Sequence, residues 1–424
     1  RTDARRARGG GTMRALLLIA ALCALALPAT AETLAIVGAR VHTNTDAGVI
    51  ENAVVRIEDG RIRGVGTNVS TRGATIIEAQ GMEMTPGLFA GFSTIGLVEV
   101  SAVDESSDFT VEDVQLGAAF SVARGVNPES VLFGVARAGG VTHALVGPMP
   151  ENSLFGGLAS VLRLDGASEP VVAEDVALVV VVGERAGGLA GGSRAAALQH
   201  LELGFEEAAI YARSGEMDGL TLPRADLRAL GAVLEAEGRV AVHADRASDI
   251  RHAVALLRGL DLQPVILGGA EAWRVAELLA AADVPVLIDP LANLPSSYDS
   301  LGARLDNAAL LEAAGVRVGF MERSGHDVRE LRQYAGNAVA HGMSPAGALA
   351  AVTSVPAEIW GVRGHGRIER GAAANLVLWT GDPFELTEWA ETVIVDGVVV
   401  PHDSRQHRLQ DRYRDPRGIY APLE

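Results

Sequence analysis

The sequence contains no lysine, so all 36 of its basic residues are arginine. It has one cysteine, Cys23, which falls in an apolar run over residues 15–27 that follows Arg14. The run leads to Ala29-Thr30-Ala31, the A-x-A pattern at which export signals are cleaved. It is shorter than the roughly 20 apolar residues of a membrane span. The sequence therefore predicts an exported, periplasmic or secreted protein whose mature chain starts near Glu32 and contains no membrane span. Met13 is the expected start, with residues 1–12 lying upstream of it. Leu22 stands where a lipoprotein signal needs a small residue, which argues against lipidation. Cys23 leaves with the signal, and a chain without a thiol has no disulfide, no thiolate metal ligand and no cysteine nucleophile.

Aromatic residues are also scarce, at 4%. With 48% apolar residues overall, a core must be built from Ala, Val, Leu and Ile, and 424 residues suffice for one large domain and a smaller one. Basic charge is outweighed by acidic charge. Residues 1–31 carry five arginines and one aspartate, so their removal takes the net charge from −17 to −21. Such a surface repels phosphate backbones and anionic lipid, which excludes nucleic acid as a partner class.

What is present is a change of pattern along the chain. Short β-rich runs at 34–41, 53–57, 61–65 and 75–78, separated by turns such as Glu58-Asp59-Gly60, are matched far downstream by runs at 375–379 and 392–400. Between them, strand-like and helix-like segments alternate, the mark of βα units around a parallel sheet. Seven apolar runs read as barrel strands, at 88–93, 141–146, 176–182, 240–244, 265–267, 286–288 and 317–321. An eighth, at 159–164, also reads as an inserted hairpin. Helical periodicity marks 193–213, 225–237, 248–260, 270–281 and 328–341. The expected fold class is α/β, a (β/α)8 TIM-type barrel with a small β-sandwich formed from both ends of the chain. The expected division is a leader over 1–31, a composite sandwich from 32–86 and 365–400, a barrel over 87–364 and a C-terminal tail over 401–424 laid on the surface.

Four motifs carry a resemblance. Thr85-Pro86-Gly87-Leu88-Phe89-Ala90-Gly91-Phe92-Ser93-Thr94 resembles the first barrel strand of the amidohydrolase superfamily, P-G-L-I-D followed by H-x-H. Val240-Ala241-Val242-His243-Ala244 resembles the family's H-A strand, and Gly371 to Trp379 with Gly381-Asp382-Pro383 resembles its G-x-x-A-D-L-V-x-W...G-D-P closing segment. Gly268-Gly269-Ala270-Glu271-Ala272-Trp273 is similar to the imidazolonepropionase-like branch. The resemblance implies metal-dependent hydrolysis of C–N bonds in linear or cyclic amides, in which a metal activates water. The absence of lysine removes the bridging carboxylated lysine that many two-metal members use.

In this sequence the metal-ligand positions are largely replaced. The two histidine positions of the first strand are Phe92 and Thr94, and the later histidine position is Gly269 or its neighbour. His243 survives, and Glu322 stands near the family's aspartate with Arg323 beside it. A catalytic zinc needs about three protein ligands, so the expectation is no cofactor and a weakly active or non-catalytic protein that binds a small molecule or a homologous subunit. The alternative is an active mononuclear enzyme in which His243, Glu322 and His326 hold one zinc, with Glu322 as its catalytic residue. Arg246 and Glu271 are candidates for the cleft, Glu271 reading equally well as a helix N-terminal carboxylate. His143 sits early in its strand, roughly 10 Å below the mouth at ~3.3 Å per residue, and His42 and His365 fall on the sandwich side. Ser93 lies near the mouth without a G-x-S-x-G elbow. The glycine-rich 187–192 reads as a closing loop.

Overall fold

The structure, a computed structural model, describes residues 33–112, 116–322, 324–401 and 404–414. The expected export signal, Cys23, Arg323 and His402 lie outside the described residues. Strands β1 (Leu34–His42), β2 (Val49–Glu58), β3 (Arg61–Gly66), β4 (Thr75–Glu78) and β5 (Glu83–Pro86) come first. They are followed by β6 (Leu88–Ser93), β7 (Val141–Val146), β8 (Phe155–Arg163), β9 (Val171–Val181), β10 (Arg239–Ala244), β11 (Gln263–Gly268), β12 (Val286–Ile288) and β13 (Val318–Phe320). β14 (Leu376–Trp379), β15 (Ala390–Val395) and β16 (Val398–Val400) end the series.

The first and last groups form one sheet in the order β16-β15-β14-β5-β1-β2-β3, with β4 alongside β1. Its inner residues, among them Ile36, Val55, Ile62, Met84 and Leu376, bury a core of their own. This is the small β-sandwich built from both chain ends. β5 joins the two halves: Met84 is opposite Val41 on one side and Leu378 on the other.

The middle group forms the barrel, in the order β13 back to β6. The segment at 159–164, read as either strand or hairpin, is both. β8 starts at Phe155 and runs antiparallel to β7 and β9, so neither connection carries a helix. The remaining barrel pairs are parallel. Between β6 and β13 the wall closes by contact. A Cβ added at Gly91 would lie 2.5 Å from the Phe320 carbonyl oxygen, so only glycine permits that approach. The segment read as one helix over 270–281 is a 3-10 turn, Ala272–Val275, followed by the helix Ala276–Ala281. Of the glycine-rich stretch, Gly187 and Gly188 are in the helix Glu184–Leu189, and Ser193 caps the next helix, Arg194–Ser214, accepting from the Ala196 amide at 3.3 Å. The tail is not simply extended: Arg405–Arg414 is helical.

The barrel interior is filled by Phe89, Leu145, Val161, Val179, Val265 and Leu287, and closed at its base by Trp360. His365, expected in the sandwich, instead lies buried beneath the barrel with its ring 4.4 Å from that of His143 and 5.4 Å from Phe89. Its Nε2–H donates to the Gly87 carbonyl at 3.0 Å. The His143 ring meets the Thr142 hydroxyl at 3.2 Å. Gly87 is where the chain passes from β5 into β6, and His365 precedes its return to β14, so one contact ties both crossings between sandwich and barrel. Burial holds both imidazoles neutral, His143 well below the ordinary range with His365 and Arg163 adding to the effect, and His365 down at about 4.

An unfolded histidine takes up its proton near pH 6.5, so below that pH the unfolded chain binds more protons and stability falls as pH drops toward 4. Substitution His365→Gln keeps a donor for Gly87 but has no proton to gain. The stability gap between the unaltered chain and this variant narrows by about 2 kcal/mol between pH 7 and pH 4.5, as read by denaturant titration at each pH. A gap that stays constant would show that the pair is not held neutral.

Candidate functional site

In a barrel of this kind, reacting groups come from the C-terminal ends of the strands and the loops after them. At the end of β6, Phe92 is 2% exposed and its ring meets the His243 imidazole edge to face, with centroids 5.3 Å apart and planes at 87°. Gly147 leaves room for it, since a Cβ there would collide with the phenyl ring. Two residues on, the Thr94 hydroxyl accepts from the Gly325 amide at 3.1 Å. That bond fastens the loop after β13 to the loop after β6. Ser93 folds back on its own strand, its oxygen accepting from the Ile95 amide at 2.8 Å.

His243 is in β10, and its Nε2 is buried without a hydrogen-bond partner. Burial, with the charge of Arg185 adding to it, lowers its pKa to about 4, so the ring is neutral. At the end of β11, Gly268 and Gly269 have φ of +93° and +61°. These are left-handed values that a residue with a side chain rarely adopts. A Cβ at Gly269 would come within 2.9 Å of Val286, and one at Gly268 within 2.7 Å of the Asp245 carboxylate. The backbone, as well as the side chain, is thus unsuited to a histidine at this point.

Glu322 follows β13 and is 2% exposed. Neither of its oxygens closes a hydrogen bond of normal geometry. Burial pushes its pKa up to about 8, offset only in part by the Ser93 hydroxyl and its own amide and reinforced by Asp327 and Asp289. His326 is half-buried, again with an unpartnered Nε2. His243, Glu322 and His326 do not assemble into one ligand set: among the described residues no three His, Cys, Asp or Glu side chains gather to hold an ion.

The two expected cleft residues are engaged elsewhere. Glu271 is buried, accepting from the Ala247 amide at 3.2 Å and the Gly302 amide at 3.0 Å. It thereby caps the helix Ala247–Gly259 and holds the loop after β12. Arg246 donates to both oxygens of Asp249 at 3.0 and 2.8 Å. Neither lines the cavity of about 360 Å³ at the ends of β9, β10 and β11, whose walls include Met149, Val182, Arg185, His243, Asp245 and Asp299.

Asp299 and Glu184 are the site residues that periodicity could not find. Asp299, from the loop after β12, accepts from the Glu184 amide and from Arg194 at 2.6 Å. It reaches under Gly183, whose φ of +86° and lack of a Cβ make space for the carboxylate. Glu184 in turn accepts from the Tyr298 amide at 3.2 Å. The cavity wall is thus set by long-range pairing between two loops. It offers a neutral imidazole, one exposed guanidinium and several carboxylates over an apolar base of Val181, Val182 and Leu267.

A family model described as "Amidohydrolase family" matches residues 229–400. Amidohydrolase tasK of Hapsidospora irregularis is 39% identical over 88 residues, which is 19% of this chain and 9% of that protein. The chain thus spans less than a tenth of the length of this curated relative. Among solved structures, an amidohydrolase from Thermotoga maritima MSB8 is 25% identical with a TM-score of 0.79, covering 87% of this chain and 99% of that one. A prolidase complexed with N-methylphosphonate-L-proline is 17% identical with a TM-score of 0.54, covering 87% and 99%, a likeness of fold alone. So is a mutant of atrazine chlorohydrolase TrzN from Arthrobacter aurescens TC1 complexed with zinc and atraton, at 15% identity and a TM-score of 0.51 over 89% and 98%. The barrel, the sandwich spliced from both chain ends, the family match over residues 229–400 and the Thermotoga likeness agree, and the chain is similar to proteins of the amidohydrolase superfamily.

Proposed function

We propose that this is an exported member of the superfamily whose barrel mouth binds a small molecule without a catalytic metal. The observation that carries the reading is the Phe92 ring against His243, where the resemblance implies metal ligands. Support comes from the left-handed backbone at Gly268 and Gly269 and from the dispersed donors. The cavity is within the size range of small-molecule sites, and its neutral His243 is left to hydrogen-bond with an occupant. Export rests on residues 14–31 of the sequence alone.

A second reading keeps the family reaction. It is favoured by the unpartnered nitrogens of His243 and His326 and the unpartnered oxygens of Glu322, which a rearranged loop after β13 could bring to one zinc. Assays on N-acyl amino acids and cyclic amides, with added zinc and with chelator, separate the two. The proposed reading expects no turnover above buffer in either condition. Zinc-dependent turnover that is lost in both His243→Ala and His326→Ala would overturn it in favour of the second.

A further inference from the structure

The C-terminal helix Arg405–Arg414 has the opposite charge to the protein that carries it. Its sequence holds four arginines and one aspartate, whereas the chain beyond residue 31 has a net charge of −21. Leu409 and Tyr413, four residues apart and so on one face, are 38% and 53% exposed. Arg408 and Arg412 are exposed beside them and make no ion pair among the described residues, Arg412 lying over the Tyr413 ring at 5.7 Å. The base of the helix is fixed, since Ser404 is buried and Arg137 donates to the Pro401 carbonyl at 2.8 Å. The result is an anchored helix presenting a bare basic and apolar face.

A matching surface exists on the same molecule. The loop after β6 folds on itself through the Val98–Ser107 bridge, and the Ser106 hydroxyl donates to the carbonyls of Val100 at 2.9 Å and Val103 at 2.8 Å. Val100 and Val103 are 50% and 42% exposed. Asp104, Glu105 and Asp108 are exposed around them and make no ion pair among the described residues. Within one chain the two surfaces face apart. The loop leaves the C-terminal end of β6 at the barrel mouth. The helix lies by Ala138 and Gly139, which lead into the N-terminal end of β7 at the base.

We infer that the C-terminal helix docks on the loop after β6 of a second copy of this chain, in a head-to-tail association. The occupant is another copy because the two patches complement each other in charge and each offers two uncovered apolar side chains. Contacts of this heterologous kind give a ring where the rotation closes and an open row where it does not. The helix of one copy then borders the barrel mouth of the next. At about 0.1 M salt the Debye length of about 10 Å screens the general repulsion between acidic copies while leaving contacts at ion-pair distance in force.

Sedimentation velocity on the mature full chain tests this. The expected mass is that of two or more copies at about 0.1 M salt, falling to one copy at about 1 M, where screening reaches about 3 Å. Arg408→Glu with Arg412→Glu yields single copies, as does Asp104→Arg with Glu105→Arg. Mixing these two charge-reversed proteins restores a complex, which a folding defect would not. A single-copy mass for the unaltered chain at about 0.1 M salt, or failure of the reversed pair to associate while the unaltered chain does, would overturn the inference.

Discussion

Replacement of Trp360 by alanine lowers stability by about 4 kcal/mol. Trp360 lies at the base of the barrel, 2% exposed, at the end of the helix Ser354–Ile359, where it packs with Phe89, Ala241 and Leu287. In a chain with 4% aromatic residues, no other side chain on that helix can fill the same volume. Its indole N–H donates to the Gly91 carbonyl at 2.7 Å, on the strand that must approach Phe320 to close the wall. Truncation therefore creates a cavity and also leaves a buried carbonyl without a partner, two costs that add. Equilibrium unfolding in guanidinium measures the loss. A change below about 1 kcal/mol would mean that the base collapses freely, contrary to the close packing of a barrel interior.

The second large effect has the opposite sign. Glu322 has its pKa raised to about 8 by burial, against about 4.3 in an unfolded chain. Between those two values the folded protein holds a proton that the unfolded chain has released, so stability declines as pH rises through the window. Glutamine has the same shape and no charge to desolvate. Glu322→Gln is therefore expected to stabilise the protein by about 5 kcal/mol at pH 8.5 and by nothing near pH 4, measured as the difference between denaturant titrations at the two pH values. If the carboxylate were instead held ionised by a bound cation, the same substitution would destabilise the protein at pH 8.5. The sign alone distinguishes the two cases.

Much of the fold is legible in the sequence because barrel strands are continuous apolar runs. The runs at 88–93 and 141–146 coincide with β6 and β7. β5 is four residues long beside a turn, too short to show a period, and is defined by its neighbours β1 and β14. The antiparallel β8 is ambiguous in the sequence for a physical reason: an apolar run reports burial and not direction. The helix Arg405–Arg414 is polar on most faces, so it lacks the apolar stripe by which helices are recognised. At the site, Phe92, Thr94, His243 and Glu322 are the positions to which the resemblance points. For Glu271 the sequence leaves a cleft carboxylate and a helix N-terminal carboxylate equally open, because the amide it accepts from, that of Ala247, lies 24 residues away in sequence. Asp299 and Glu184 escape a sequence reading because their pairing joins the start of a short helix to the loop after β12, 115 residues apart.

The most direct test is the metal content of the mature protein purified without chelator, by elemental mass spectrometry. With Phe92 packed on His243 and no three donors brought together among the described residues, the expected zinc, manganese and iron together amount to less than about 0.1 ion per chain, since a stable centre needs about three ligands. About one ion per chain, lost on His243→Ala with the fold intact, would contradict the metal-free mouth and establish a working metal centre in its place.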